Sequence, residues 1–165
     1  MRPGEPVPEW RVRRWVGDGP ASLASLRGRV VVVHAFQMLC PGCIYRGIPQ
    51  AVRLYERLGG DAVVLGLHTV FEHHDAMRDE SLEAFLAELR VPFPVGVDAH
   101  ETPRSHPWTM RRWGLRGTPS TIVIDRAGRL AWERFGSEDD LDVGLRLGQL
   151  LAAPGEGCDG DVCAA

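Results

Sequence analysis

The chain contains no lysine; all 19 of its basic residues are arginine. They are scattered along the sequence, which reads as genome composition bias rather than function. Against them stand 22 acidic residues, for a formal net charge of −3. That balance gives no reason to expect nucleic acid or an anionic membrane as a partner. Long apolar runs are lacking too. None approaches the roughly 18 residues of a membrane-spanning helix. The start, Met1-Arg2-Pro3-Gly4-Glu5, has no apolar centre of the kind a secretory signal needs. A cytoplasmic, monomeric protein is the expectation. Cysteine is scarce, with four residues, and in that compartment a C-x-x-C pair is kept reduced and works by cycling. What is present is ordinary for one globular domain. The 165 residues are 44% hydrophobic and 25% charged, enough to bury a core.

Cys40 and Cys43 carry the chemistry. They form a Cys-Pro-Gly-Cys motif after a hydrophobic run, Val30 to Phe36, and before an amphipathic stretch that reaches about Leu58. A strand that delivers C-x-x-C to the first turn of a helix places a thiol among unpaired backbone N–H groups, at the positive end of the macrodipole. A thiolate is stabilised there and becomes a nucleophile near neutral pH. The second thiol, one turn on, can attack the mixed disulfide made by the first. Pro41 suits the first helical position, where a missing N–H costs nothing. A structural zinc site would need a second ligand pair. The remaining cysteines, Cys158 and Cys163, lie at the far end of the chain.

The rest of the sequence alternates in type. Residues 1–9 read as an N-terminal arm, 10–151 as one domain and 152–165 as a cysteine-containing tail. Trp10 to Val16 alternates as a strand. Ala62 to His68 is a second buried strand. Ser81 to Leu89 is a helix with Leu82, Phe85, Leu86 and Leu89 on one face. Phe93 to Val97 is a short strand, and Pro107 to Trp113 a short helix ended by Gly114. Ser120 to Asp125 and Leu130 to Phe135 form a hairpin around Asp125-Arg126-Ala127-Gly128. Ser137 is the expected cap of a last helix, with Asp140 at its third position. The pattern predicts an α/β fold, a sheet with helices on both faces. Cys40 would sit at the carboxyl end of a central strand, where sites form in such sheets.

Val30-Val31-Val32-Val33-His34-Ala35-Phe36, Cys40-Pro41-Gly42-Cys43 and Gly117-Thr118-Pro119-Ser120-Thr121-Ile122-Val123-Ile124-Asp125 resemble the thioredoxin superfamily, in particular its TlpA-like and redoxin-type branch. The resemblance covers about residues 10 to 151. It implies a thioredoxin-like fold with a central mixed β-sheet flanked by helices on both faces. It also implies a thiol–disulfide oxidoreductase without a cofactor. A protein disulfide would be its substrate and an upstream dithiol its reductant. Pro119 takes the place of the family's cis proline, which faces the two cysteines, with Thr118 before it. The chain departs from the family at several positions. Leu39 stands where tryptophan precedes the first cysteine. His34 stands six residues before Cys40, in place of a buried acid that helps move the resolving thiol's proton. The helix proline comes one position late, at Pro49.

The remaining candidates have two readings each. His34 is an internal base or a core histidine. His68, His73 and His74, with Glu72 or Asp75, form a metal site or a polar loop. Trp108 and Trp113 border a groove or pack in the core. Cys158 and Cys163 are a second redox pair or carry no role. Extended, residues 152–157 could span roughly 20 Å, enough to bring Cys158 to Cys40 unless the last helix ends on the wrong edge. Two other functions remain. A peroxiredoxin-like peroxidase would carry Thr or Ser where Gln37 stands and Pro where Val33 stands. A copper carrier on this fold would have three residues between its cysteines.

Overall fold

The computed structural model describes residues 1–153; Cys158 and Cys163 lie outside them. A run of apolar residues with no polar alternation needs cover on both faces. Strand β2 (Val30–Phe36) has it, with all seven residues buried. It lies inside a six-stranded sheet of order β1-β4-β3-β2-β5-β6. The others are β1 (Val12–Val16), β3 (Ala62–His68), β4 (Val95–Asp98), β5 (Ser120–Ile124) and β6 (Leu130–Phe135). β2, β3 and β4 are parallel, whereas β1, β5 and β6 each run antiparallel to a neighbour. The sheet is therefore mixed, as expected.

Side chains alternate across a strand, so β2 feeds two cores. Val30, Val32 and Phe36 pack with α1 (Ile48–Leu58), α2 (Asp79–Glu88) and α4 (Asp140–Ala152). Val31, Val33 and Ala35 pack with Met110 and Trp113 of α3 (Trp108–Trp113) and with Val7, Trp10 and Leu23. Asp98, fully buried at the end of β4, fixes α3. It accepts from the backbone N–H groups of Thr109 and Met110 at 2.8 and 3.0 Å, and from the Thr69 hydroxyl at 3.1 Å.

Long-range contacts moved several sequence-based boundaries. Trp10 belongs to the core, its ring 5.6 Å from Trp15 and 6.4 Å from Trp113, so β1 begins two residues later. Trp113 is buried, and its indole N–H donates to Pro8 O, so it serves packing. The arm of residues 1–9 is docked: Gly4 N–H donates to Leu130 O, Leu130 N–H to Glu5 O and Val7 N–H to Gly128 O. The last helix is capped by Asp139, whose carboxylate accepts from Leu141 N–H at 2.9 Å, and not by Ser137. Asp140 is taken instead by Gln50 and Arg53 of α1.

These contacts also fix direction. Asp140, at the start of α4, meets Gln50 and Arg53. Arg126, in the β5–β6 turn, donates to the carbonyls of Leu150, Leu151 and Ala153 at its end. Arg126 O also accepts from Gly28 N–H, just before β2. So α1 and α4 run side by side in one direction, away from the end of the sheet where β2 hands over to the cysteines.

Candidate active site

β2 ends at Phe36, and two links hold the following turn. Cys40 N–H donates to Gln37 O at 3.3 Å, and Thr69 N–H to Phe36 O at 3.0 Å. The helix begins at Pro41, which puts Cys40 in the capping position. Its sulfur does what a capping oxygen does elsewhere: the backbone N–H of Cys43, third residue of the helix, donates to Cys40 Sγ at 3.3 Å. A negative sulfur gains from that N–H and from the helix dipole behind it. Cys40 is half-buried and Cys43 fully buried; both are thiols. Burial pushes the Cys43 thiol up to about 12, and its hydrogen bond to Cys40 pushes the same way.

Across from the cysteines lies the Thr118–Pro119 bond, which is cis. The Cys40 thiol donates to Thr118 O at 3.5 Å. A Cβ built on Gly42 would lie 3.2 Å from the Pro119 ring and 4.0 Å from Cys40 Sγ, so Pro119 closes over the turn between the cysteines. Four of the expected site residues, Cys40, Cys43, Thr118 and Pro119, thus meet at one point.

The helix does not continue as a plain α-helix. Cys43–Gly47 forms a π turn, closed by Ile48 N–H to Cys43 O, and α1 follows with Pro49 in its first turn. A π turn takes up one extra residue, and Pro49 sits one position late. Inside that turn, Gly47 lies on His34. A Cβ there would fall 2.4 Å from His34 Cε1 and 3.0 Å from Pro119 Cβ. A glycine inside a helical stretch was the signal in the sequence for this close approach, and it was missed.

His34 is buried beneath this turn, its ring parallel to Phe36 with centroids 6.3 Å apart. Burial lowers its pKa from 6.5 to about 4, so it is a neutral imidazole at pH 7. Its Nε2 has no hydrogen-bond partner among the described residues. It lines a polar cavity of about 220 Å³ with Arg46, Gln50, Thr121 and Glu138. No hydrogen bond joins it to Cys43.

The histidines after β3 lie elsewhere, over the β3–β4–β1 side. His68 is buried against Phe36, with centroids 5.4 Å apart, and burial lowers it to about 4. His74 and His100 meet edge to face, and His100 Nε2 bonds Val70 O at 2.8 Å. His73 has a φ of 50°. Among the described residues no three His, Cys, Asp or Glu side chains are placed to hold a metal ion. Gln37 is also spoken for. Its Oε1 accepts from Phe71 N–H at 3.1 Å and its Nε2 donates to Glu72 at 3.4 Å.

The AhpC/TSA family matches residues 3–133. Protein DipZ of Mycobacterium tuberculosis, like that of Mycobacterium bovis, is 30% identical over 142 residues. Those residues are 84% of this chain but 19% of the relative, so the chain spans about a fifth of the length of the curated relatives it matches. Two crystal structures are each 45% identical with a TM-score of 0.86, covering 92% of this chain and 99% of the other. One is described as a thioredoxin-like superfamily protein, the other as a thiol-disulfide isomerase from Corynebacterium glutamicum.

Proposed function

We propose, from the premise that this chain belongs to the AhpC/TSA family, that Cys40 is the nucleophile and Cys43 the resolving thiol of its reaction. The protein is a thiol–disulfide oxidoreductase, acting on protein substrates with a reductant to renew it. One observation carries the assignment of roles: Cys40 Sγ caps the helix and receives the Cys43 N–H, while the Cys43 thiol is buried.

In the reductive direction, the Cys40 thiolate attacks one sulfur of a substrate disulfide, and the other sulfur leaves as a thiol. Cys43, held protonated by burial, does not compete for that attack. It then loses its proton and attacks Cys40 Sγ. The Cys40–Cys43 disulfide forms and the second substrate thiol departs. An upstream dithiol returns the pair to the reduced state. Pro119 and the Thr118 carbonyl shape the face where the substrate backbone lies. His34 is better suited to positioning than to proton transfer. An imidazole held near 4 is a weak acceptor for a thiol held near 12. What it does is fill the space under Gly47 and the π turn.

Peroxide reduction is disfavoured by Gln37. Its carboxamide is tied to Phe71 and Glu72 and offers no hydroxyl beside Cys40. The test sets insulin-disulfide reduction against peroxide consumption. Cys43→Ser should trap a mixed disulfide on Cys40. Trapping on Cys43 in the reciprocal variant alone would reverse the roles, and peroxide turnover without disulfide reduction would sink the reading.

A further inference from the structure

Three large apolar side chains are left in water around Cys40. Leu39 is 54% exposed, Tyr45 76% and Phe135 40%. Leu39 precedes the nucleophile, and Tyr45 stands on the π turn that follows it. Phe135 belongs to β6, nearly a hundred residues on, but two contacts bring it to the Thr118–Pro119 loop. Gly136 N–H donates to Pro119 O at 2.8 Å. The Phe135 ring covers Gly117, where a Cβ would fall 2.8 Å from Phe135 Cε2. Apolar surface gathered beside a reactive thiol is surface for a partner to cover.

An arginine completes this patch. The Arg116 guanidinium lies over the Phe135 ring, 5.3 Å from its centroid. Arg116 is exposed, and among the described residues it makes no ion pair. Arg46, which lines the polar cavity with Gly136, is exposed and without an ion pair among them as well. The acids that follow β6 are taken: Glu138 by Arg146, Asp139 by Leu141 N–H and Asp140 by Arg53. A guanidinium that gives its face to a ring keeps its edge N–H donors free, and that edge matches the two oxygens of a carboxylate.

We propose that the Arg116–Phe135 pair is a specificity subsite, selecting substrate segments that carry an apolar and an acidic residue within about two residues of the reacting cysteine. The proposal rests on the thiol–disulfide reading given above. Reach sets the spacing. The Thr118 carbonyl accepts from the Cys40 thiol, and Arg116 lies two residues before Thr118, within about 7 Å along the chain. An extended substrate segment covers the same distance in two residues. Its apolar side chain rests on Phe135 and Leu39, and its carboxylate meets the guanidinium edge. A basic residue in that place is repelled by Arg116 and Arg46, so the subsite discriminates by repulsion as well as by attraction.

The test follows the reduction of disulfide-linked peptide dimers by the reduced full-length protein in stopped flow. The peptides differ only beside the cysteine, which is flanked by Leu and Asp, by Leu and Lys, or by Ser and Asp. Each rate constant is divided by that for dithiothreitol, a neutral reductant, which removes the effect of the neighbours on the peptide's own reactivity. The Leu–Asp peptide should react about tenfold faster than the Leu–Lys peptide and about fivefold faster than the Ser–Asp peptide. The first ratio should shrink severalfold at about 0.5 M salt. Arg116→Glu should make the Lys peptide the faster, Arg116→Lys should keep the parent's order, and Phe135→Ser should remove most of the advantage of Leu. Equal normalised rates in the parent, or a preference for Asp that survives Arg116→Glu, would overturn the proposal. Hydroxyethyl disulfide, small and uncharged, separates the two readings. If the parent reduces it but treats the three peptides alike, the active-site reading stands and the subsite falls; if no disulfide is reduced at all, both fall.

Discussion

His34 couples stability to pH in a way that can be measured directly. Its imidazole is buried and held down to about 4 against 6.5 in the unfolded chain, with no partner for Nε2 among the described residues. A folded value below the unfolded one means that the stabilising contribution is present above about pH 6.5 and is lost as pH falls toward 4. At about 1.4 kcal/mol per unit, the full loss is roughly 3 kcal/mol. Linkage places about 2 kcal/mol of it between pH 7 and pH 5. His68, which burial also holds near 4, adds a slope of the same sign and similar size. The assay is urea unfolding at pH 7, 6 and 5 for the parent and for His34→Gln, whose side chain does not titrate. The variant should lose about 2 kcal/mol less than the parent over that interval, whatever its stability at pH 7. Parallel curves would refute the reasoning, because they would mean that His34 takes up its proton equally well folded and unfolded.

Further outcomes follow from single contacts. At neutral pH Cys40 should alkylate at least tenfold faster than Cys43, read by mass spectrometry of iodoacetamide-labelled peptides, since Cys43 is buried and held up to about 12; equal rates would refute the capping argument. Gly47→Ala should destabilise by about 1–3 kcal/mol in thermal or urea unfolding although alanine is the better helix former, because its Cβ would press on the His34 ring. Asp98→Ala strands two backbone N–H groups and a hydroxyl, and should cost about 2–4 kcal/mol in the same assay. His34→Gln should leave the rate of mixed-disulfide resolution, followed by stopped flow, within a few-fold of the parent; a loss of a hundredfold or more would restore His34 to the role of internal base.

The parts of this protein legible in its sequence are those set by local chemistry. β2 was readable because four successive valines, then Ala35 and Phe36, interrupted only by His34, fit a strand covered on both sides. The placement of Cys40 was readable because Cys-Pro-Gly-Cys after such a strand puts a thiol at a helix start. Thr118 and Pro119 were readable through family resemblance, not through any property of the dipeptide alone. Where several residues could do the same local job, the sequence was silent. Ser137, Asp139 and Asp140 can each cap a helix; Gln50 and Arg53, nearly ninety residues away, take Asp140 and leave the cap to Asp139. Gly47 becomes meaningful only when the π turn sets it on His34. The imidazole is neutral because packing excludes water, which no neighbour in sequence specifies. The direction of α4 belongs with these. Residues 152–157 have the length to span 20 Å, but only the tertiary structure fixes the starting point, and Arg126 anchors it at the pole away from Cys40. Reach is a property of chain length, whereas the distance to be covered is a property of how the helices pack.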